Sequence, residues 1–277
     1  MAYVWLGLSA IVLTVILFFR LPYSGTQAEF RRITAARLAD TPLPVDSFSA
    51  DDWKHLPLPV RKYLDTSGFA GTPRMSSMRA TFGHVKFVLS SGKPAVSIGY
   101  TQANFVQPVA RFAFIDTSLY GIPFQGLDSY EDGRGGMKGV LAKAFTLFNQ
   151  RGPEMDQACL ATYLAEALLL PSAALQDNIA WTPIDDTHAQ AIITAYGISA
   201  GGIFTFRDNG ECISFTTNDR TATGMDGSMQ QVRWSALMDD YRSVNGIRQP
   251  NRLQAVWHYE TGDLVYFDSS QIQIEYR

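Results

Sequence analysis

Glu166 is the residue whose type and position point most directly to chemistry. It lies in Glu154–Leu175, a run that is apolar almost all the way round and that we expect to form a helix ending at Pro171. A helix of that composition is covered on most sides rather than lying on a surface. Glu166 shares a predicted face with Cys159 and Tyr163, at offsets of seven and three residues. The sequence therefore predicts a carboxylate inside the fold.

A buried carboxylate either pairs with a cation or is held protonated by desolvation. Because buried charges are normally paired, an ion pair between Glu166 and either Arg220 or Arg111 is the favoured interpretation. The alternative is functional: Glu166 acts as a general acid, or as an anchor for a ligand headgroup inside a pocket. The sequence leaves the choice between the two arginines open.

The candidate ligand-binding residues are one carboxylate, one arginine and three aromatic side chains. Aromatic residues belong to the core by default, but some line ligand cavities, which are usually apolar with a few polar groups. On this basis the candidates for a ligand site are Glu166, Tyr163, Trp181, Arg220 and Trp257.

Two acidic stretches are secondary candidates. Asp185, Asp186 and His188 carry the carboxylate and imidazole groups that often bind metals, although a turn that caps the following strand is favoured because aspartate prefers turns. Asp128 opens an acidic, glycine-rich stretch that fits neither a calcium loop nor a phosphate loop. A hairpin turn followed by a glycine-kinked strand explains that stretch, since a curved sheet needs such kinks. We therefore predict no metal and no cofactor.

The composition argues against several classes of function. A formal net charge of -3 and the absence of a basic stripe give no reason to expect nucleic acid as a partner. Cys159 and Cys212 are too few for a disulfide framework or a zinc site, and we interpret them as core residues. The sequence also lacks a Gly-x-Ser-x-Gly nucleophile elbow.

The first residues predict a membrane anchor. Ala2–Phe19 contains 18 residues without a charge, and as a helix it reaches roughly 27 Å, the lower limit for a bilayer span. A cleaved signal peptide is the competing interpretation, but no Lys or Arg precedes the apolar run. Arg20 and the arginines after it follow the span, so the positive-inside rule places the domain on the cytoplasmic side of a bacterial inner membrane. The expected partner of this segment is the lipid bilayer.

The chain divides into three parts by composition. Residues 1–24 are the predicted transmembrane anchor, and residues 25–50 hold a short basic helix and a proline-broken linker. This helix either rests on anionic lipid headgroups or serves as a solvated connector. Residues 51–277 are expected to form a single domain, which begins with short helices around Trp53 and over Leu56–Leu64.

From Met75 onward the hydrophobic pattern has a period of two, which predicts strands on both sides of the central helix. Runs of antiparallel hairpins with a helix against one face give an α+β class. We expect a strongly curved antiparallel sheet, an open half-barrel, wrapped around the central helix. The predicted strands are Arg79–Leu89, Ala95–Phe105, Val109–Ser118, Gln125–Tyr130, Gly136–Leu141, Trp181–Pro183, His188–Tyr196, Gly202–Arg207, Glu211–Asp219, Gln230–Tyr241, Arg252–Tyr259 and Leu264–Tyr276.

The order of helices and strands is similar to that of the lipoprotein carriers LolA and LolB. In those proteins an open, incomplete β-barrel is plugged by helices and holds acyl chains. The stretch Asp240–Leu253 also resembles the part of such carriers in which a strand turns at Gly-Ile and resumes after a proline. The resemblance implies the same curved-sheet fold around an apolar cavity.

The chain also resembles an uncharacterised bacterial family of unknown function, from about Asp51 to the end. That family has no assigned activity, so this resemblance supports a fold and not a function. The matching motifs are Leu56-Pro-x-Pro-Val-Arg-x-Tyr-Leu64, Asp128-x-Tyr-x-Asp-Gly-x-Gly-x-Met137, Tyr163-Leu-Ala-Glu-Ala167 with Pro171, Trp181-x-x-x-Asp-Asp186, and Trp257 with Ile274-Glu-Tyr276.

Three functions are consistent with these features. The first is a membrane-anchored, non-catalytic binding module for a lipid or other hydrophobic ligand, suggested by the curved sheet, the apolar helix and the adjacent bilayer. The second is a hydrolase-type enzyme on lipid or envelope substrates, which requires Glu166, Asp185 and His188 to converge. The third is a membrane assembly or scaffold protein, which requires a large exposed apolar patch and no cavity.

Overall fold

A strongly curved antiparallel sheet forms the body of the protein, with a helix against its inner face. In the computed structural model, residues 1–89, 92–224 and 228–277 are described. Within them, thirteen strands form one sheet in the order β6-β5-β4-β3-β2-β1-β15-β14-β13-β10-β9-β8-β7, and β11 and β12 form a separate pair. The strands are β1 (Ser77–Phe87), β2 (Val96–Phe105), β3 (Ala110–Leu119), β4 (Ile122–Glu131), β5 (Arg134–Leu141), β6 (Phe145–Gln150), β7 (Ile179–Pro183), β8 (His188–Ala195), β9 (Ile198–Phe206), β10 (Cys212–Thr217), β11 (Thr221–Thr223), β12 (Met229–Gln231), β13 (Arg233–Val244), β14 (Ile247–Tyr259) and β15 (Gly262–Tyr276).

The helices lie before the sheet and in the middle of the chain. The α-helices are α1 (Ala2–Arg20), α2 (Gly25–Asp40), α3 (Leu58–Thr66), α4 (Pro153–Ala165) and α5 (Pro171–Ala174). Two short 3₁₀ helices cover Ala50–Trp53 and Ala167–Leu169. This combination of elements confirms the predicted α+β class.

Two meanders of antiparallel strands meet where β15 pairs with β1. One meander runs from β1 to β6, and the other contains β7 to β10 and β13 to β15. β6 and β7 are the two outer strands and do not pair with each other, so the sheet is not closed. The predicted open half-barrel is therefore confirmed.

Buried and exposed residues alternate along the strands, so that the buried ones form the inner face of the sheet, which the helix covers. In β8, Ala189, Ala191 and Ile193 are fully buried while the residues between them are exposed. Helix α4 packs against β4, β5, β8 and β9 on that inner face. Its apolar residues, such as Leu160 and Leu164, are fully buried, as the helix composition predicts.

The central helix is shorter than predicted: within the run Glu154–Leu175 the sequence predicts that it continues to Pro171, and this prediction is wrong at its C-terminal end. α4 ends at Ala165, and Glu166 closes it with an N–H···O bond to the carbonyl of Tyr163. The Glu166 side chain is bound to sheet residues, which fixes the chain direction there. Pro171 does not end the helix: it begins the separate helix α5, where its missing N–H costs no hydrogen bond.

Strand β6 is not among the predicted strands. It is an edge strand whose residues are mostly exposed, so it lacks the alternation by which a half-buried strand is recognised. The predicted strand Gln230–Tyr241 is in fact two strands, because β12 ends at Gln231 and pairs with β11 outside the main sheet. Most other predicted strands differ from the observed ones mainly at their ends.

Helix α2 packs on the outer face of β3 and β4. The Phe30 ring stacks on Phe114, with centroids 5.9 Å apart. Arg37 binds the β4 end and its turn through Glu131 at 2.6 Å and Asp132 at 3.0 Å. The basic helix of residues 25–40 is therefore attached to the sheet rather than free in solvent.

The end of α1 also contacts the sheet. Lys143, in the turn between β5 and β6, donates to the carbonyl oxygens of Phe18 and Phe19 at 3.1 Å and of Leu21 at 2.6 Å. Among the described residues, one helical stretch is long and apolar enough to cross a membrane, and it lies near the N-terminus, where a signal sequence passes the same test.

Replacement of Gly135 by alanine should loosen the contact between α4 and β5. Its N–H donates to the Asp156 carboxylate at 2.6 Å, and an added Cβ would overlap with the Met155 carbonyl. We expect Gly135→Ala to lower the free energy of unfolding by about 1–3 kcal/mol through overpacking, measured by urea unfolding of the full chain in maltoside micelles. Gly99→Ala is the matched control, because a Cβ there meets its nearest atom at 3.6 Å. Equal stability of both variants would contradict the close packing.

Candidate functional site

A cavity of about 740 Å³ lies between α4 and the inner face of the sheet. Helix α4 supplies one wall, mainly through Met155, Ala158 and Cys159. Strands from both meanders and the separate β11–β12 pair supply most of the rest. Their apolar lining residues include Phe82, Phe87, Ile115, Met137, Phe148, Trp234, Met238, Leu253, Ala255, Trp257, Tyr266 and Phe267.

Arg111 on β3 is the centre of a polar cluster in this cavity. Its guanidinium donates from Nε to Glu166 Oε2 at 2.8 Å and from Nη2 to Glu166 Oε1 at 2.9 Å. Its Nη1 donates to Asp128 Oδ2 on β4 at 2.7 Å. The Arg111 side chain is 5% exposed and that of Glu166 is 15% exposed. One buried cation therefore joins the end of α4 to two strands of the sheet.

Strand β2 completes the cluster with neutral polar groups. Tyr100 accepts a hydrogen bond from Arg111 Nη2 at 2.9 Å, and Asn104 donates to Glu166 Oε2 at 2.7 Å. Gln102 Nε2 in turn donates to the side-chain oxygen Oδ1 of Asn104 at 3.2 Å. Burial raises the pKa of the Tyr100 hydroxyl, so that hydroxyl stays protonated at neutral pH.

The electrostatics keep Arg111 charged although it is buried. Desolvation alone would lower the pKa of its guanidinium, but Glu166, Tyr100 and Asp128 together raise it well above its usual value. Desolvation and Asp128 also raise the pKa of the Cys159 thiol, against a smaller opposite effect of Arg220 and Arg111. Cys159 is therefore a neutral thiol, and its side chain acts as a small apolar group.

Arg220 forms a second polar point in the cavity. Its guanidinium carbon lies 4.3 Å from the centroid of the Trp234 ring and 5.1 Å from that of Trp257. Nη1 donates to the Tyr266 hydroxyl at 3.3 Å, and the same hydroxyl accepts a bond from Trp234 Nε1 at 3.0 Å. The cation is therefore held by aromatic faces and a phenol.

Four of the predicted site residues meet in the cavity. Glu166, Arg220, Trp257 and Asp128 all line it. Of the two arginines proposed as the partner of Glu166, Arg111 forms the ion pair and Arg220 does not.

Tyr163 and Trp181 do not line the cavity. Tyr163 is 2% exposed and donates to the carbonyl of Phe105. Trp181 donates to the carbonyl of Ala174 and packs on Phe204.

The stretch with Asp185, Asp186 and His188 lies in a turn at the start of β8 and does not line the cavity. Asp185 accepts bonds from the Thr187 N–H at 2.8 Å and from His188 Nδ1 at 2.9 Å. These bonds lower the pKa of the Asp185 carboxyl to about 2. Across the described parts of the chain, no group of three His, Cys, Asp or Glu side chains is placed to hold a metal ion.

Sequence reasoning missed Tyr100, Gln102 and Asn104. A signal for them exists in β2, where every second residue from Tyr100 to Asn104 is polar and faces inward while Ala103 and Phe105 pack under α2. A strand with polar residues on its buried face departs from the usual pattern and marks a polar site.

Comparison with protein families identifies the chain as a member of one of them. A family model described as a family of unknown function, DUF6544, matches residues 46–269. The chain belongs to the DUF6544 family. This membership confirms the predicted family without an assigned activity. A comparison with curated proteins finds no match.

Among solved structures, the crystal structure of a LolA superfamily protein from Nitrosomonas europaea is similar to this DUF6544 chain. The match has 8% sequence identity and a TM-score of 0.40, and it covers 83% of this chain and 94% of that one.

Replacement of Arg111 by methionine should be among the most damaging changes to the fold. It leaves Glu166 and Asp128 without their cation, and an unpaired buried charge costs about 3–5 kcal/mol. We expect a loss of that size in the free energy of unfolding, measured by urea unfolding. Arg79→Met removes the same charge from an exposed position of β1 and should have little effect. A similar small effect of both variants would contradict the structural role of Arg111.

Two substitutions of Glu166 should separate the contribution of its charge to stability from that of its hydrogen bonds with Arg111. Glu166→Gln keeps one acceptor and should lower stability by about 1–3 kcal/mol, while Glu166→Ala should lower it further because it strands both the Arg111 and the Asn104 donors. Glu260→Gln, in an exposed turn, is the control. Unchanged melting temperatures for both Glu166 variants would contradict the burial of this carboxylate.

Proposed function

We propose that this protein is a membrane-anchored, non-catalytic binding module for a lipid or another hydrophobic ligand. The observation that carries the proposal is the cavity of about 740 Å³, which lies within the usual roughly 300–1,000 Å³ of ligand sites. Side chains such as Phe82, Met137 and Leu253 make its lining mostly apolar. Such a lining favours an apolar molecule, because each methylene that leaves water contributes about 0.8 kcal/mol.

The position of the cavity relative to α1 supports a ligand drawn from a membrane. β1, β3 and β5 run in the same direction, because each is separated from the next by one antiparallel strand. Their C-terminal ends therefore lie at one end of the sheet. Val88 and Leu89, which follow β1, line the cavity, and Lys143, which follows β5, binds the end of α1. The cavity thus reaches the end of the sheet at which α1 ends.

Exposed apolar side chains occupy the same end of the sheet. Tyr120 and Ile122 lie at the β3–β4 turn, and Phe145 and Leu147 lie at the start of β6, all of them more than a third exposed. Aromatic and aliphatic side chains of this kind suit the interfacial region of a bilayer. They support an orientation in which this end of the sheet faces the membrane.

The anchoring itself is part of the proposal. Residues 1–24 cross a bacterial inner membrane once, residues 25–50 connect the anchor to the sheet while α2 packs on its outer face, and residues 51–277 form the binding domain. Arg20, Arg31 and Arg32 follow the span, and their positive charge favours a domain on the cytoplasmic side.

The arrangement of polar groups favours binding over the two other functions. An enzyme that uses Glu166 with Asp185 and His188 would need these groups together, whereas only Glu166 lines the cavity. Both carboxylates of the cavity, Glu166 and Asp128, are engaged by Arg111. A scaffold protein would need no cavity, and the observed volume disfavours that alternative.

The test is to fill the cavity. Ala255 lies on its wall in β14, so Ala255→Trp should displace an apolar ligand. We expect the full chain, purified from membranes and washed in maltoside, to retain about one extractable amphiphile per molecule in quantitative mass spectrometry, and Ala255→Trp to retain much less. Ala180→Trp, exposed on the edge strand β7, is the control and should retain the wild-type amount. Equal retention by both variants would place the lipid outside the cavity and contradict the proposal.

A further inference from the structure

We propose that the ligand is an amphiphile whose anionic head, a carboxylate or a phosphate, binds Arg220. This inference rests on the proposed function and adds the chemistry of the polar end of the ligand. It starts from a cation that lines an otherwise apolar part of the cavity.

Arg220 lacks an acidic partner in the part of the chain that the structure describes. No carboxylate oxygen there lies within 4.0 Å of its guanidinium nitrogens, whereas Arg111 pairs with two carboxylates in the same cavity. Its Nε is buried and has no acceptor within the described residues. A buried donor without an acceptor costs free energy, and a ligand oxygen would remove that cost.

The two carboxylates among the described lining residues are bound to other groups than Arg220. Glu166 receives two hydrogen bonds from Arg111 and one from Asn104, and Asp128 receives one from Arg111. These hydrogen bonds hold both acids in the polar cluster around Arg111. Neither of the two pairs with Arg220, whose charge can therefore pair with a molecule that enters the cavity.

The aromatic contacts of Arg220 present its N–H groups to such a molecule. Trp234 and Trp257 lie over the guanidinium at 4.3 Å and 5.1 Å, which fixes the position of the group and leaves its N–H donors at the edge. A planar guanidinium whose Nε lacks an acceptor matches a carboxylate or a phosphate, groups that guanidinium ions often bind through two parallel hydrogen bonds.

The surroundings of Arg220 select a head that carries an apolar chain rather than a small free anion. Trp234, Ala236, Trp257 and Leu264 line the same cavity, and a free anion would leave this apolar surface uncovered. An amphiphile satisfies both features, because its head binds the cation and its chain covers the aromatic and aliphatic wall.

The experiment compares ligands that share a chain and differ in the head. Radiolabelled hexadecanoate, hexadecyl phosphate and neutral hexadecanol are equilibrated with the full chain in maltoside micelles at mildly alkaline pH, with protein-free micelles as the blank. We expect at least one anion to bind roughly tenfold more tightly than hexadecanol, which is about 1.4 kcal/mol. The tighter of the two anions identifies the head as a carboxylate or a phosphate. Inorganic phosphate should not compete, and full competition by it would contradict the requirement for a chain.

The variants assign the preference to Arg220. Arg220→Met keeps a long apolar side chain against the two indoles, so it should bind hexadecanol as before and lose the preference for the anions. Arg233→Met removes the same charge from the exposed outer face of β13, next to Trp234, and should keep the preference. Retained hexadecanol binding also establishes that Arg220→Met is folded.

The outcomes separate this inference from the proposed function. Equal binding of anionic and neutral ligands by the wild-type chain would overturn the role of Arg220 and leave a hydrophobic binding module. A preference for anions that survives in Arg220→Met would overturn it as well. Binding of none of the three ligands would overturn the proposed function itself.

Discussion

The fold depends on one buried guanidinium. Arg111 lies near the start of β3, between the buried Ala110 and Phe112, and the removal of its charge from water has to be offset inside the protein. Glu166 at the end of α4 and Asp128 on β4 provide that compensation, together with the Tyr100 hydroxyl. Because these partners come from separate elements, the ion pairs fix where the central helix stops relative to the sheet.

The cavity is a consequence of how α4 is held. On one side, Gly135 lets the helix backbone approach β5 closely. At the C-terminal end, Arg111 draws Glu166 toward β3. The helix is therefore placed against β4 and β5 of one meander and β8 and β9 of the other. The space in front of β13, β14 and β15 remains lined by Trp234, Trp257 and Tyr266. An apolar ligand would complete this core.

The α+β class and the arrangement of a curved sheet around a helix could be predicted from the sequence, because both follow from local patterns. Alternation in strands such as β8 and the apolar run of α4 identify a curved sheet around a helix, and an acid in that run identifies Glu166 as a buried charge. The exposed edge strand β6 has no such alternation, so it escaped prediction. The break at Glu166 escaped too, because its cause lies in β3, more than fifty residues away in sequence.

The site was predictable only in part for the same reason. Arg220 and Trp257 stand out by residue type, but their contact with each other is set by the pairing of the sheet. Trp181 and Tyr163 are large aromatic residues like Trp257, but they lie outside the cavity. Each donates its side-chain hydrogen to a backbone carbonyl there. Side-chain direction across a curved sheet is therefore the information that a single sequence lacks.

The most direct measurement is an experimental density map of the full chain purified from its host membranes without added ligand. The account predicts continuous elongated density inside the cavity, passing along Trp257 and ending beside the Arg220 guanidinium. A cavity filled by the protein's own side chains, or one that contains only ordered water molecules, would contradict a binding module for hydrophobic ligands.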